Sequence, residues 1–162
     1  MIKKATRSQF SEIMEIYAQA RRFMAQTGNP DQWGTAYPSE EMILRDIENG
    51  KCYVNLENEQ IRAVFYFAVE ADPTYGVIDG RWLNDAPYGV IHRIAVGESG
   101  KGAAAQCFDF AAQHCDNIRI DTHEKNIPMQ RCLAKYGFTR CGTIYLEDGD
   151  PRIAYQKVIK NG

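Results

Sequence analysis

The sequence predicts an α/β fold of the α+β kind, and three observations carry the prediction. One early stretch repeats apolar residues at helical spacing and a second opens on a helix cap, several later stretches are short and rich in β-branched and aromatic residues, and a glycine-rich turn joins one of these directly to a further helix. The chain has 162 residues, the length of one ordinary domain, which can bury a core without metal or disulfide staples.

Thr6 followed by Gln9 is a capping-box pattern, and Phe10, Ile13, Met14, Tyr17 and Ala20 then recur at helical spacing, so a first helix is expected over about 7–25. Gly28-Asn29-Pro30-Asp31 breaks it. Ser39-Glu40-Glu41 next supplies a cap and two carboxylates where a helix amino end favours negative charge, and that second helix should end near Asn49-Gly50. Cys52, Val54 and Leu56 alternate with polar residues, Asn58-Glu59 supplies a turn, and 61–69 is rich in β-branched and aromatic residues, which together predict an antiparallel hairpin. Prolines, glycines, aspartates and asparagines over 72–87 read as a long irregular surface connection, a kind often functional in small domains.

A strand over 89–96 follows, then the turn Gly97-Glu98-Ser99-Gly100-Lys101-Gly102, then a helix over 103–115 with Ala104, Cys107, Phe108, Ala111 and Cys115 as its inward stripe. A short strand is expected over 118–122. Asn126 reads as the N-cap of a last helix with Pro128 in its first turn, Met129, Cys132 and Leu133 facing inward, and Gly137 past its end. Strands over 138–145 and 152–158 flank Glu147-Asp148-Gly149-Asp150 and should close the chain as a hairpin.

Composition narrows the function. Lys and Arg number 19 against 21 Asp and Glu, a formal charge of -2, so no positive surplus exists to neutralise a nucleic-acid backbone. No apolar h-region follows the first residues, and the longest apolar run, 63–69, is too short to span a bilayer, so neither a signal peptide nor a membrane partner is expected. Five cysteines form an odd set with no C-x-x-C pair, which speaks against a disulfide framework and a zinc site and for reduced core thiols in a cytoplasm.

A strand entering a glycine-rich turn and then a helix leaves backbone N–H groups pointing outward in the positive potential of the helix dipole, a phosphate-binding device. The P-loop pattern fails, because Gly102 follows Gly100-Lys101 and Ala95 stands where the first glycine belongs. A dinucleotide fingerprint fits locally as Gly100-x-Gly102-x-x-Ala105 with Asp121 downstream, yet too few strands and helices remain after Asp121 to build that fold. The run Ser99-Gly100-Lys101-Gly102-Ala103-Ala104 resembles the Gln/Arg-x-x-Gly-x-Gly/Ala signature of the GNAT superfamily of N-acetyltransferases, departing only at Ser99. Ile94-Ala95-Val96 before it, Ile118-Arg119-Ile120 after the helix, and Asn126, Met129, Lys135 and Gly137-Phe138 extend the likeness, as does the order of elements along nearly the whole chain.

The resemblance implies one GNAT-like domain over 1–162, with a mixed central sheet of about seven strands and helices on both faces. It implies acetyl-CoA as co-substrate without a metal. The pyrophosphate would lie on the main-chain amides of Gly100, Lys101, Gly102, Ala103 and Ala104, whose glycines let phosphate approach, and the pantetheine arm along Ile94, Ala95 and Val96, with Asn126 bonding it. Ser99 removes a long polar contact that Lys101 can replace in charge.

Acetyl transfer needs an unprotonated amine, although an alkyl amine has a pKa of about 10.4, and it needs donors for the oxyanion. The resemblance puts oxyanion-binding backbone N–H groups near Ile94. By strand alternation Val90, His92, Ile94 and Val96 share a face, on which His92 is the one proton acceptor and hence the candidate general base; its place is similar to that of a catalytic histidine in one member of the family. A structural histidine is the competing role, and His123 is a weaker alternative base. The family's usual acid is a tyrosine seven residues after the asparagine; Leu133 stands there, and Tyr136 lies on another helix face. The acceptor would meet the first loop and the 72–87 connection, where Trp33, Tyr37, Tyr75 and Trp82 with Asp72, Asp79 and Asp85 suit a cationic, partly apolar amine on a small molecule or peptide. A protein that binds acyl-CoA without transfer is the alternative, a dinucleotide enzyme stands far behind, and a homodimer through a sheet edge stays open.

Overall fold

The computed structural model describes residues 1–98, 100 and 102–159. In chain order the elements are β1 (Ile2–Lys4), a 3₁₀ turn (Arg7–Gln9) running into α1 (Phe10–Gln26), α2 (Glu40–Glu48), β2 (Cys52–Glu57), β3 (Gln60–Val69), a second 3₁₀ turn (Pro73–Tyr75), β4 (Asp79–Gly80), β5 (Gly89–Val96), α3 (Ala103–Ala112), β6 (Asn117–Thr122), α4 (Ile127–Lys135), β7 (Thr139–Tyr145) and β8 (Pro151–Val158). The strands form an eight-stranded sheet in the order β1-β2-β3-β5-β6-β8-β7-β4. The β5–β6 pair is parallel and the pairs β1–β2, β2–β3, β6–β8, β7–β8 and β4–β7 are antiparallel, so the sheet is mixed.

The eighth strand is β4, a two-residue strand inside the stretch expected to be irregular. It pairs with β7 at Asp79↔Thr143 and Gly80↔Gly142. Both glycines are required by the close backbone approach, since a Cβ on Gly80 would press on the Cys141 carbonyl and one on Gly142 on that of Asp79. The β2–β3 hairpin turns through Asn58 and Glu59, whose φ of 52° and 64° give the twist that two-residue hairpins need.

Contacts divide the chain into two units, Met1–Phe67 with His92–Phe110 and Ala68–Ile91 with Ala111–Gly162. In the first, alternation along β2 and β3 sorts side chains between two layers of helix. Val54 and Val64 pack into a buried cluster with Ile13, Ile16 and Tyr17 of α1 and Ile43 and Ile47 of α2. Their neighbours Tyr53, Phe65 and Phe67 turn the other way and surround Phe110 of α3, with ring centroids 5.1, 6.1 and 5.9 Å from it. Helices thus cover both faces of this half of the sheet. In the second unit Tyr75, Val90, Ile144 and Ala154 form the buried cluster, with Ile78, Trp82, Tyr88 and Leu146 packed against it.

Helix boundaries follow the expected chemistry. Ser39 caps α2, its hydroxyl accepting the Met42 N–H at 3.2 Å, and Asn126 caps α4, its side chain accepting the Met129 N–H at 3.1 Å. The Gln9 side chain reaches back to the Thr6 N–H at 2.9 Å, although the first turn it closes is 3₁₀. Helix α3 ends at Ala112, before Cys115; its Cys107, Phe108 and Ala111 are buried, whereas Ala104 and Cys115 are half-buried.

Candidate functional site

In the first unit β5 runs through Gly97 into α3. Strand pairing holds the start of the turn, with Gly97 N–H donating to the Arg62 carbonyl at 2.9 Å. The turn then folds on itself: Gly100 N–H donates to Gly97 O at 2.9 Å and Ala103 N–H to Gly100 O at 2.8 Å. Its two described glycines differ in kind. A Cβ on Gly100 would press on the Arg62 carbonyl and sit 2.8 Å from Val96 Cγ1, so this glycine lets the turn lie on β3. Gly102 has φ +83° and open space where a Cβ would go. At Gly100 the missing Cβ makes room for protein backbone, and at Gly102 the space stays open. Lys101, named with them, and Ser99 lie outside the described residues. Ala103 is buried and Ala104 half-buried in the first turn of α3, where N–H groups have no partner within the helix. The buried side chain of Asn55 on β2 ties this helix end to the sheet, donating to Ala103 O at 3.3 Å and Gln106 Oε1 at 2.7 Å.

Arg93, within β5, has φ +50°, a left-handed conformation that is uncommon for a residue with a side chain. It interrupts the period of two, so the face expected to be shared by Val90, His92, Ile94 and Val96 cannot be extended past it. Three neighbours hold the irregularity. The Tyr17 hydroxyl of α1 donates to the Arg93 carbonyl at 2.7 Å, Arg93 Nε and Nη2 reach Asp46 Oδ2 of α2 at 3.0 and 2.9 Å, and Arg93 Nη1 donates to the Tyr37 hydroxyl at 3.3 Å. The Arg93 guanidinium also lies 4.7 Å from the Tyr66 ring centroid, and the His92 ring stands 5.6 Å from the same ring. Burial pushes the Asp46 carboxyl above its ordinary value, the Arg93 guanidinium opposing that rise without cancelling it. Burial likewise lifts the Tyr17 phenol well above its usual range, with Cys52 and Asp46 adding and Arg93 opposing. His92 is half-buried, Ile94 and Ala95 are buried, and Val96 is half-buried. Trp33 lies between Tyr17 and Tyr37, edge-on to the first and tilted to the second, with 5.8 and 6.0 Å between centroids, and Tyr37 keeps 37% of its surface exposed.

The second unit holds the remaining residues singled out from the sequence. Asn126 is buried and caps α4. His123 Nδ1 accepts the Lys125 N–H at 3.0 Å, so that nitrogen supports a turn. Leu133 is wholly buried. Tyr75 and Trp82, expected to meet a substrate, pack against each other: Tyr75 is 2% exposed and donates its hydroxyl to Asp121 Oδ2 at 2.7 Å, and Trp82, half-buried, lies 5.2 Å from the Tyr75 ring and donates its indole N–H to Tyr75 O at 2.9 Å. Of the carboxylates expected beside them, Asp72 caps the Pro73–Tyr75 turn and Asp79 accepts the Tyr145 hydroxyl at 2.7 Å. Trp33 and Tyr37 meet as one pair, and Tyr75 and Trp82 as another.

A solved structure repeats this chain from end to end. A GNAT-family acetyltransferase from Streptococcus agalactiae is 32% identical over 99% of this chain and 96% of its own, with a TM-score of 0.88. The chain belongs to the GNAT family. A Staphylococcus aureus protein described as an acetyltransferase matches this GNAT chain at 25% identity and a TM-score of 0.73, over 99% of both. A GNAT-family acetyltransferase from Listeria monocytogenes shares the fold, at 20% identity and a TM-score of 0.71 over 98% of this chain and 94% of its own. No family model and no curated protein matches the sequence. Membership of the family makes acetyl transfer from acetyl-CoA the general chemistry and brings an acceptor substrate with it. Among the described residues of this GNAT chain no group of three or more His, Cys, Asp and Glu is placed to hold a metal ion, and no helix is long and apolar enough to cross a membrane.

Two arrangements escaped the sequence reading. The Tyr17–Arg93–Asp46 cluster joins residues far apart in the chain, and an arginine with positive φ leaves no compositional mark. Arg119 of β6 is buried between Trp82 and Tyr88, its guanidinium carbon 4.1 Å from each ring centroid, and donates to Asn84 O at 2.8 Å. A charged residue in a short strand of alternating apolar residues was the available signal for it.

Proposed function

We propose that this GNAT chain, read as one N-acetyltransferase domain over 1–162, moves the acetyl group of acetyl-CoA directly onto a primary amine of a small molecule or peptide. The observation that carries the reading is the β5–turn–α3 junction: Gly102 has open space and positive φ, and the first-turn amides of α3 lie just beyond it. The amides of Gly102 and Ala104 are the anion donors best fitted to the pyrophosphate, because those of Gly100 and Ala103 already serve the turn. Ile94, Ala95 and Val96 would offer backbone to the pantetheine arm, with Asn126 as a further polar contact.

Acetyl-CoA supplies an acyl carbon with a thiol leaving group. In the transfer the amine nitrogen forms the new bond to that carbon, the carbon–sulfur bond breaks, and the amine proton must be removed while the departing thiolate gains one. His92, half-buried on β5 beside the Tyr66 ring, is the base in this reading. With Leu133 in the place of a tyrosine acid, the thiolate is protonated by solvent or by the proton the amine releases, which a thiol of pKa about 8.5 tolerates. Trp33 and the exposed ring of Tyr37 form the aromatic wall for the acceptor. Binding of acyl-CoA without transfer is the second reading, and the buried Leu133 in the acid's place favours it.

Thiol release from acetyl-CoA across a panel of amines tests both. Turnover with at least one primary amine is expected, reduced about a hundredfold or more in His92→Ala with CoA affinity kept. Tight CoA binding with no turnover on any amine supports the second reading instead, and an unchanged rate and pH profile in His92→Ala removes that residue from the mechanism.

A further inference from the structure

The mechanism above uses neither Tyr17 nor the ion pair beneath it. Tyr17 is 1% exposed, and a hydroxyl buried so deeply is retained at a cost unless it makes a strong bond. Its bond is to one particular carbonyl, that of Arg93, at 2.7 Å. Arg93 is also the residue of β5 whose φ of +50° departs from strand geometry. Its side chain is fixed by Asp46 through two nitrogens, at 3.0 and 2.9 Å, and by the Tyr37 hydroxyl at 3.3 Å. Helices α1 and α2 therefore each send one polar side chain to the same residue, one to its main chain and one to its side chain.

The peptide bond that follows Arg93 is trans, since among the described residues the one cis bond is Tyr37–Pro38. In a trans peptide the C=O and the next N–H lie in one plane and point in opposite directions. A hydroxyl that captures the Arg93 carbonyl from the α1 side thus aims the Ile94 N–H away from α1. It does more than aim, because a hydrogen bond to the carbonyl polarises the amide and strengthens its N–H as a donor.

We propose that Tyr17 is a positioning residue for acetyl transfer: by holding the Arg93 carbonyl, with Arg93 itself anchored on Asp46, it orients and polarises the Ile94 N–H as the donor to the thioester oxygen. Negative charge gathers on that oxygen when the amine nitrogen bonds to the acyl carbon, and it leaves again as the carbon–sulfur bond breaks. A donor fixed before the reaction acts without reorganisation at the moment charge develops. The inference rests on the acetyl-transfer reading, and its test separates the two.

The test is Tyr17→Phe, which keeps the ring against Trp33 and removes the hydroxyl alone. In ¹⁵N-labelled wild-type protein the Ile94 amide resonance is expected to move between the CoA-bound and acetyl-CoA-bound forms, which differ by the acetyl group, and to move less in Tyr17→Phe. The kcat of Tyr17→Phe should fall about tenfold, less than the loss on deleting a direct oxyanion donor, with KM for acetyl-CoA within about twofold of wild type. Asp46→Asn, which loosens the anchor and leaves Tyr17 in place, should move both readouts the same way by a smaller factor. It also keeps the test open should Tyr17→Phe fold poorly. An Ile94 resonance that ignores the acetyl group overturns the proposal whether or not the protein turns over an amine. So does a loss confined to KM, or a kcat unchanged in both variants. Absence of turnover alongside an acetyl-dependent Ile94 shift that Tyr17→Phe weakens instead counts against the transfer reading and for the positioning role.

Discussion

Burial lifts the thiols of Cys52 and Cys107 from an ordinary value of 9.0 to about 12. Side chains with so high a pKa are poor nucleophiles at neutral pH, which suits core packing and no chemistry. The sign of the pH effect follows from proton counting. Between about pH 9 and 12 the unfolded chain has released protons from these thiols that the folded chain still holds, so the folded state is penalised as pH rises through that window. Below pH 9 both states keep the protons and these groups contribute no slope. The melting temperature, followed from pH 7 to 11, is expected to be level with respect to these groups up to about pH 9 and then to fall, less steeply in a Cys52→Ala, Cys107→Ala variant. A slope unchanged by that double substitution contradicts the assignment. The sequence reading took all five cysteines as reduced core thiols; all are free, Cys52 and Cys107 are buried, and Cys115, Cys132 and Cys141 are half-buried. Which of these thiols a strand or helix face would bury could not be read residue by residue from the sequence. Aromatic residues were harder still. Trp33, Tyr37, Tyr75 and Trp82 look alike as loop aromatics, and only contacts separate the exposed Tyr37 from the buried Tyr75.

Among the elements, the β5–turn–α3 junction carries most of the functional argument, and its two described glycines make a contrast that can be measured. A Cβ on Gly100 meets the Arg62 main-chain oxygen, which cannot swing aside as a flexible side chain can, so Gly100→Ala should lower unfolding stability by about 3 kcal/mol. A Cβ on Gly102 meets nothing, and Gly102→Ala should cost about 1 kcal/mol from its φ of +83° while weakening CoA binding tenfold or more. Denaturant unfolding and CoA titration of both variants check this. Equal stability losses, or CoA affinity kept in Gly102→Ala, go against it. The start of α2 and both ends of α4 were legible because caps are local: Ser39, Asn126 and Gly137 act within a few residues. Strand β4 was not legible. Two residues show no periodicity, and what makes Asp79–Gly80 a strand is the facing Gly142, more than sixty positions away in the chain. The left-handed Arg93 is the same kind of case, fixed by Tyr17 and Asp46 from two helices rather than by its own propensity.

For the molecule as a whole, the order of elements and the turn between residues 97 and 102 were sufficient to reach the GNAT family, which the 32% identity and TM-score of 0.88 to the Streptococcus agalactiae acetyltransferase then established. The sheet differs from expectation by one short strand, because hydrophobic patterning reveals elements that bury a face and β4 buries none. The acceptor was the least legible part. Of the residues expected to meet it, Trp33 and Tyr37 lie near Arg93, whereas Tyr75 is in the core of the second unit with Trp82 packed against it. The central claim is that main-chain amides at Gly102 and the start of α3 bind the pyrophosphate of acetyl-CoA. Isothermal titration of CoA into the folded protein tests it most directly: one molecule should bind per chain, with affinity lost in Gly102→Ala, whereas no heat with CoA or acetyl-CoA would contradict it.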